Sequence, residues 1–352
     1  MNLLLFDQPQ YESLYNCSFY SIESISLKER RHRVFGGLLI VAYVICTCTY
    51  AACLYAMWRT KLRARVSYRL MMLLAVIHII GLQGCGLITG ILAIEGAVFC
   101  SHPTLIYVVG GVALGGHVGR VHDDLDAVGR QSMLRVGERP VGGGGWRIAL
   151  WLALPVGYFF FLFVFTPPPL FSGVWLAWFF NPHAVYFDDF EARRYSSTAH
   201  SANNLVVCSC EFVIYGFLLA AYVRATRRSS GDGQRAAFRR ERRVWTSTSP
   251  LIYIQVIAIG VIHFVASASY LVMQFVPMTF GGCLTASFFY FLSQGAPPLI
   301  YLAANRTIRS VLFKDRCGKA AASLTTPSRS RPSLRFERRP SALAELSLRY
   351  VQ

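Results

Sequence analysis

Charged residues are scarce in this chain. They make up 15% of its 352 residues, whereas a soluble domain carries about 25%. Hydrophobic residues make up 54%, and they are clustered in long runs. This clustering excludes a large soluble domain and indicates an integral membrane protein. The first residues lack the apolar region and the cleavage site of a signal peptide, so we expect the first spanning helix to act as the targeting signal.

Motifs for metal and phosphate binding are also missing. The ten cysteines include no CxxC pair, and the eight histidines are scattered, with His117 and His122 the closest pair. The glycine run 142–145 is not followed by the lysine and hydroxyl residue of a phosphate loop. We therefore expect no metal site, no cofactor and no enzymatic activity.

Seven apolar runs follow the polar segment 1–33. The predicted spanning helices lie near 34–57, 70–94, 98–116, 148–171, 204–223, 250–275 and 281–303. Lipid cannot pair with backbone N–H and C=O groups, so each run is expected to form a helix. The predicted fold class is an all-α membrane protein, a bundle of seven transmembrane helices spanning 34–303.

The distribution of Lys and Arg predicts the orientation of this bundle. Most of the 35 basic residues fall in segments that lie inside when the N-terminus is outside, namely 58–69, 117–147, 224–249 and 304–352. The net charge of +17 is then explained by the membrane topology and by contact with anionic lipid, without nucleic acid. Segment 1–33 is expected to be extracellular, and 304–352 to be a cytoplasmic surface helix with a disordered basic tail.

The end of the seventh run carries the sequence PPLIY, with Pro298 and Tyr301. Arg306 and Arg309 follow and favour a short amphipathic helix on the membrane, with both arginines toward lipid phosphates. This order is similar to the end of the seventh helix in G-protein-coupled receptors, where the motif is Asn-Pro-x-x-Tyr. Pro297 replaces the asparagine, and any membrane bundle that ends in a proline-containing helix remains an alternative.

Several stretches together resemble one family. They are YNCS near the N-terminus, FCSHPTLIY at the start of the third run, TPPPLF with WFFNP after the fourth, YLVMQFVP at the end of the sixth, and SQGAPPLIYLAANRTIR at the end. All of them are similar to the nematode serpentine receptors of class T. The resemblance implies a multi-pass chemoreceptor in the plasma membrane of sensory neurons. It also implies an external small-molecule ligand, an inner heterotrimeric G protein, and a switch in helix seven at Pro298 and Tyr301.

One segment departs from this family. Residues 117–146 hold Asp123, Asp124 and Asp126 where the third helix should continue toward an arginine-bearing inner motif. We expect the third helix to be short, or this segment to be spliced or mispredicted. Two alternative functions stay open: a non-signalling, receptor-like protein from a defective gene model, and a membrane transporter. One embedded glutamate and the lack of an inverted repeat argue against the transporter.

Polar residues inside the apolar runs are the candidates for a ligand pocket. Glu211 is placed to pair with a ligand amine or, when neutral, to bond to a neighbouring helix. The pocket candidates are Tyr107, Glu211, His263, Tyr270 and Gln274. Core packing is the alternative for each of them, and the aromatic residues of 166–203 are either anchors at the membrane interface or a lid over a cavity.

Covalent modifications are expected at both ends of the chain. Asn16 lies in a glycosylation sequon, and Cys317 is a palmitoylation candidate. Cys100 opens the third helix, and residues 166–203 offer no cysteine as a partner. We predict a disulfide between Cys17 and Cys100. A pair with Cys283 and free thiols are the alternatives.

Overall fold

Seven long helices form the fold in the part of this chain that the structure describes. The computed structural model describes residues 1–18, 21–59, 66–116, 145–187, 195, 197–229, 255, 257–273, 276, 279–305 and 307–313. The long helices are α1 (Arg33–Arg59), α2 (Val66–Leu82, continued by Gln83–Ile88 and Thr89–Glu95), α3 (Pro103–Gly116), α4 (Gly145–Phe165), α5 (Thr198–Ser229), α6 (Ile257–Val272) and α7 (Phe280–Ala304). The predicted all-α bundle of seven helices is confirmed.

Short elements cover one end of this bundle, which we call the hairpin end. The strands β1 (Leu170–Ser172) and β2 (Ala177–Phe179) pair antiparallel, with Phe171 opposite Trp178. Short helices at Asn2–Phe6, Gln8–Leu14 and Leu27–Arg30 precede α1, and a 3-10 turn at Phe99–Ser101 precedes α3. A further helical turn, 307–313, follows α7 at the opposite end.

Three of the helix ends that differ from the predicted runs have local reasons. The run at 98–116 begins as a helix only at Pro103, because the 3-10 turn comes first. The run at 148–171 stops at Phe165, because three prolines follow and cannot continue the hydrogen-bond ladder. α5 starts at Thr198, six residues before the predicted 204, because the Ser197 hydroxyl accepts a hydrogen bond from the amide of His200 at 3.2 Å and caps the helix. Of segment 117–146, only the start of α4 lies within the described residues.

Glycines allow α1 and α2 to pack backbone to backbone. A Cβ at Gly36 would lie 2.5 Å from the carbonyl oxygen of Gly90, and a Cβ at Gly90 would lie 3.0 Å from that of Gly36. Such small residues bring helices close together where lipid supplies no hydrophobic force. The opposite face of α1 exposes apolar side chains, with Val34 at 78% and Leu38 at 66%. This face needs an apolar surrounding, and by length and composition Leu27–Arg59 and Met71–Glu95 suffice to cross a bilayer.

An aromatic cluster and a disulfide join the N-terminal segment to the bundle. Tyr11 and Tyr15 each pack edge-on against Tyr107 of α3, with ring centroids 5.1 Å apart in both pairs. The predicted bond between Cys17 and Cys100 is present, with the two Cα atoms 5.7 Å apart. The hairpin is tied down as well, since the amide of Gly173 donates to the carbonyl of Ala97 at 2.9 Å. These contacts fix the hairpin end, beneath which the candidate site lies.

Candidate ligand cavity

A small cavity of about 60 Å³ lies directly under the hairpin. Strand β2, the segment after it and helices α2, α3, α5, α6 and α7 contribute to its wall. The lining residues are Cys85, Ala113, Leu114, Pro169, Trp178, Phe180, His200, Tyr270 and Tyr290. Since Trp178 and Phe180 face this cavity, the aromatic residues of 166–203 act as a lid at these positions.

Hydrogen bonds to the protein fix two of the lining rings. The indole N–H of Trp178 donates to the hydroxyl of Thr89 at 3.0 Å. The hydroxyl of Tyr290 donates to the carbonyl of Ala113 at 3.0 Å, and its ring meets Tyr270 edge-on at 6.0 Å. With these polar atoms engaged, the rings present mainly apolar surface to the cavity.

His200 supplies the imidazole of the lining. Its Nε2 lies 2.9 Å from the side-chain nitrogen of Asn204, one turn further along α5, and its ring meets Phe180 edge-on at 4.9 Å. The described lining contains no Asp, Glu, Lys or Arg. A charged guest would therefore lose its hydration without gaining an ion pair, which is strongly unfavourable. The cavity suits a small neutral molecule.

A network of polar side chains lies in the core, away from the hairpin. Nδ1 of His78 in α2 lies 2.8 Å from Oε1 of Gln294 in α7. The hydroxyl of Tyr50 in α1 donates to the backbone carbonyl of Gln294 at 2.8 Å, and Nε2 of His263 in α6 lies 3.1 Å from the carbonyl of Ser293. All five residues are at most 2% exposed. Four helices thus meet at Ser293 and Gln294.

The structure separates the predicted pocket residues. Tyr270 lines the cavity, whereas His263 belongs to the polar network. Tyr107 lies instead in the aromatic cluster and lines a second cavity of about 230 Å³ between the N-terminal segment and the end of α4. Glu211 is fully buried in α5 and does not line either cavity. Gln274 lies outside the described residues.

The remaining predicted positions fall at the two ends. Asn16 is exposed, and its side-chain oxygen accepts from the amide of Ser18 at 2.8 Å. Pro298 and Tyr301 are buried in α7. Arg309 donates to the carbonyl of Ala303 at 3.0 Å, so it binds the last turn of α7. Arg306 and Cys317 lie outside the described residues.

Sequence reasoning missed two residues at the centre of these two sites, His200 and Gln294. His200 lies before residue 204, where its helix is predicted to begin, so the sequence places it in the segment 166–203. Trp178 belongs to the aromatic residues of that segment, for which a lid over a cavity is one of the two predicted roles. Gln294 had a readable signal, because it is the most polar side chain in an otherwise apolar run and stands directly before GAPP.

Known proteins resemble this chain in sequence and in fold. A family described as "Serpentine type 7TM GPCR chemoreceptor Srt" matches residues 1–323. The crystal structure of squid rhodopsin is similar in fold, with a TM-score of 0.60 over 85% of this chain and 88% of that chain, at 11% sequence identity. None of the curated proteins matches.

Proposed function

Because the chain belongs to the Srt family of serpentine seven-transmembrane chemoreceptors, we propose that the cavity under the hairpin binds its chemical stimulus. Members of such a family are multi-pass membrane proteins with the architecture of G-protein-coupled receptors. The single observation that carries the proposal is the cavity itself, walled by five helices and the hairpin and without a charged side chain in its described lining.

The hairpin end faces the outside of the cell in this proposal. The bias of Lys and Arg toward the other end supports that orientation, and so does a disulfide at Cys17, since disulfides form in oxidising compartments. The opposite end, where α7 stops at Ala304, then faces the cytosol of a sensory neuron and a heterotrimeric G protein. Pro298 and Tyr301, buried in α7, respond there to the movement of that helix.

The volume of the cavity limits the stimulus. Ligand pockets for drug-sized molecules measure about 300–1,000 Å³, while 60 Å³ holds about four water molecules. The cavity in this state therefore suits a small neutral molecule with about as many non-hydrogen atoms as these waters. Binding it better in one of two bundle states shifts the equilibrium between them.

A signalling assay in cells tests the proposal. The full chain is expressed with a reporter of G-protein activity and exposed to small neutral alcohols, ketones and esters, and to amines and carboxylates of equal size. Ala113→Leu fills the cavity and is expected to raise the half-maximal concentration of any active compound about tenfold or more. Leu105→Phe, at a 47% exposed position of the same helix, is the control and leaves it unchanged.

Three outcomes count against the proposal. Equal responses of both variants place the ligand elsewhere. Amines as the only active compounds indicate Glu211 as the ligand partner. Uptake of a compound into vesicles without any signal indicates a transporter.

A transcript that reads without interruption across codons 110–150 would exclude the splicing or misprediction of 117–146.

A further inference from the structure

Helix α7 contains two consecutive prolines, and both are buried. In an α-helix the N–H of each residue bonds to the carbonyl four residues earlier. Proline has no N–H. Pro297 therefore cannot donate to the carbonyl of Ser293, and Pro298 cannot donate to that of Gln294. The helix itself leaves these two neighbouring acceptors without their regular donors, in a region away from water.

The same two carbonyls accept hydrogen bonds from other helices. His263 of α6 reaches the carbonyl of Ser293 at 3.1 Å, and since a carbonyl only accepts, Nε2 of His263 carries the proton. Tyr50 of α1 donates to the carbonyl of Gln294 at 2.8 Å. Each proline is thus matched by one donor from a different helix.

We propose that, because of the two prolines, two backbone carbonyls of α7 accept hydrogen bonds from two other helices. The bond from His263 to the carbonyl of Ser293 is a latch that holds α6 against α7. Moving α6 away breaks this hydrogen bond to a buried carbonyl, which is unfavourable. The bond from Tyr50 holds α7 on α1 in the same way. His263 is accordingly a positioning residue for α6, and a ligand that separates α6 from α7 must outweigh this latch.

The matched prolines allow a direct test by double-mutant cycles. His263→Phe removes the donor, and Pro297→Ala restores the N–H that bonds to Ser293 within α7. Unfolding temperatures of the full chain in lipid nanodiscs are measured for each variant and for the pair. His263→Phe is expected to lower the unfolding temperature by roughly 2–6 °C. In the Pro297→Ala background the loss shrinks to less than about half of that.

The second proline supplies the control. Tyr50→Phe should be compensated by Pro298→Ala, whereas the crossed pairs, His263→Phe with Pro298→Ala and Tyr50→Phe with Pro297→Ala, should be additive. Equal coupling in matched and crossed pairs would overturn the proposal, as would additivity in the matched pairs. If His263→Phe fails to fold, recovery of a monodisperse protein by Pro297→Ala supports the latch, and no recovery refutes it.

Hydrogen exchange gives a readout that a merely packed side chain would not move. His263→Phe is expected to speed amide exchange in α6, residues 257–272, while Tyr50→Phe leaves that segment unchanged. His263→Gln, which keeps an N–H donor, should restore part of the protection. An equal increase of amide exchange in α6 for His263→Phe and for Tyr50→Phe would show general loosening and contradict a latch on α6. None of these measurements requires a ligand or a G protein, so their failure is distinct from failure of the proposed function.

Discussion

The carbonyl oxygen of Pro169 lies against the bare backbone of Gly110. A Cβ at Gly110 would overlap this oxygen, so only glycine fits where the chain leaves α4 and crosses α3. Pro169 lines the cavity and stands directly before β1. The position of the hairpin above the cavity therefore depends on the missing side chain at residue 110.

Gly110→Ala is expected to push Pro169 and the hairpin outward. Overpacking of this kind costs about 1–3 kcal/mol of stability, and the response to any ligand of the cavity should weaken at the same time. Thermal unfolding in detergent and the cellular dose response measure the two effects. Gly157→Ala in α4, where nothing lies within 4 Å of the new Cβ, is the matched control and should be neutral or slightly stabilising. If Gly110→Ala changed the stability no more than Gly157→Ala does, this account would be contradicted.

Gly81→Ala should break the contact between His78 and Gln294. The new Cβ would lie 2.7 Å from Oε1 of Gln294, so the amide must move away from the imidazole. Losing this buried hydrogen bond costs about 1–3 kcal/mol. Once it is lost, His78→Phe should have little further effect in the same background. Gly37→Ala, which meets nothing within 4 Å, is the control, and additive effects of Gly81→Ala and His78→Phe would disprove the coupling.

Cys17→Ser and Cys100→Ser should destabilise the protein to the same extent. The bond joins residues 83 positions apart, and removing a native disulfide costs about 2–5 kcal/mol. The double variant should be no worse than either single one, and a reductant should lower the unfolding temperature of the wild type only. Cys48→Ser, at an exposed free thiol, should change nothing. A measurable loss from Cys48→Ser would point to thiol chemistry other than this bond.

Alkaline pH should loosen the aromatic cluster around Tyr15. Burial, together with the nearby Tyr107 and Tyr11, raises the pKa of Tyr15 above its usual 10.0. A pKa that is higher in the folded than in the unfolded state stabilises the fold fully below pH 10.0, and this stabilisation is lost as the pH rises further. Unfolding temperatures at about pH 9 and about pH 11 should therefore differ less in Tyr15→Phe than in the wild type. An unchanged difference would locate the alkaline sensitivity in another group.

The sequence predicts well where the helices lie along the chain, but poorly which face of each helix meets its neighbours. Long apolar runs predict spanning helices because the bilayer imposes length and internal hydrogen bonding on each run separately. The Cys17–Cys100 bond followed from the location of Cys100 and from the lack of cysteines in 166–203. The sides on which Tyr107 and Tyr270 lie depend on the rotation and neighbours of each helix. Apolar runs surrounded by lipid carry little periodicity that would reveal this rotation.

The cavity was harder to predict for a further reason. Its lid comes from Trp178 and Phe180, in a segment that folds back over the bundle, and its imidazole comes from His200, just inside a helix end that a serine cap extends. Caps and backfolded hairpins are decided by individual contacts, and composition records neither. Gln294 is different. The two prolines that follow it lack an N–H, so the sequence itself indicates that two carbonyls of this helix lose their regular donors.

The π-helical segment Gln83–Ile88 makes α2 two half-helices with independent registers. A π turn holds an additional residue, and the Thr89 hydroxyl donates back to the carbonyl of Gly84 at 2.7 Å across it. Deleting one residue there would rotate one half by about 100° relative to the other. Either His78 would then leave Gln294 or Thr89 would leave Trp178. The wide turn therefore sets the rotation of both halves of α2 at once, so that His78 in one half meets Gln294 while Thr89 in the other meets Trp178.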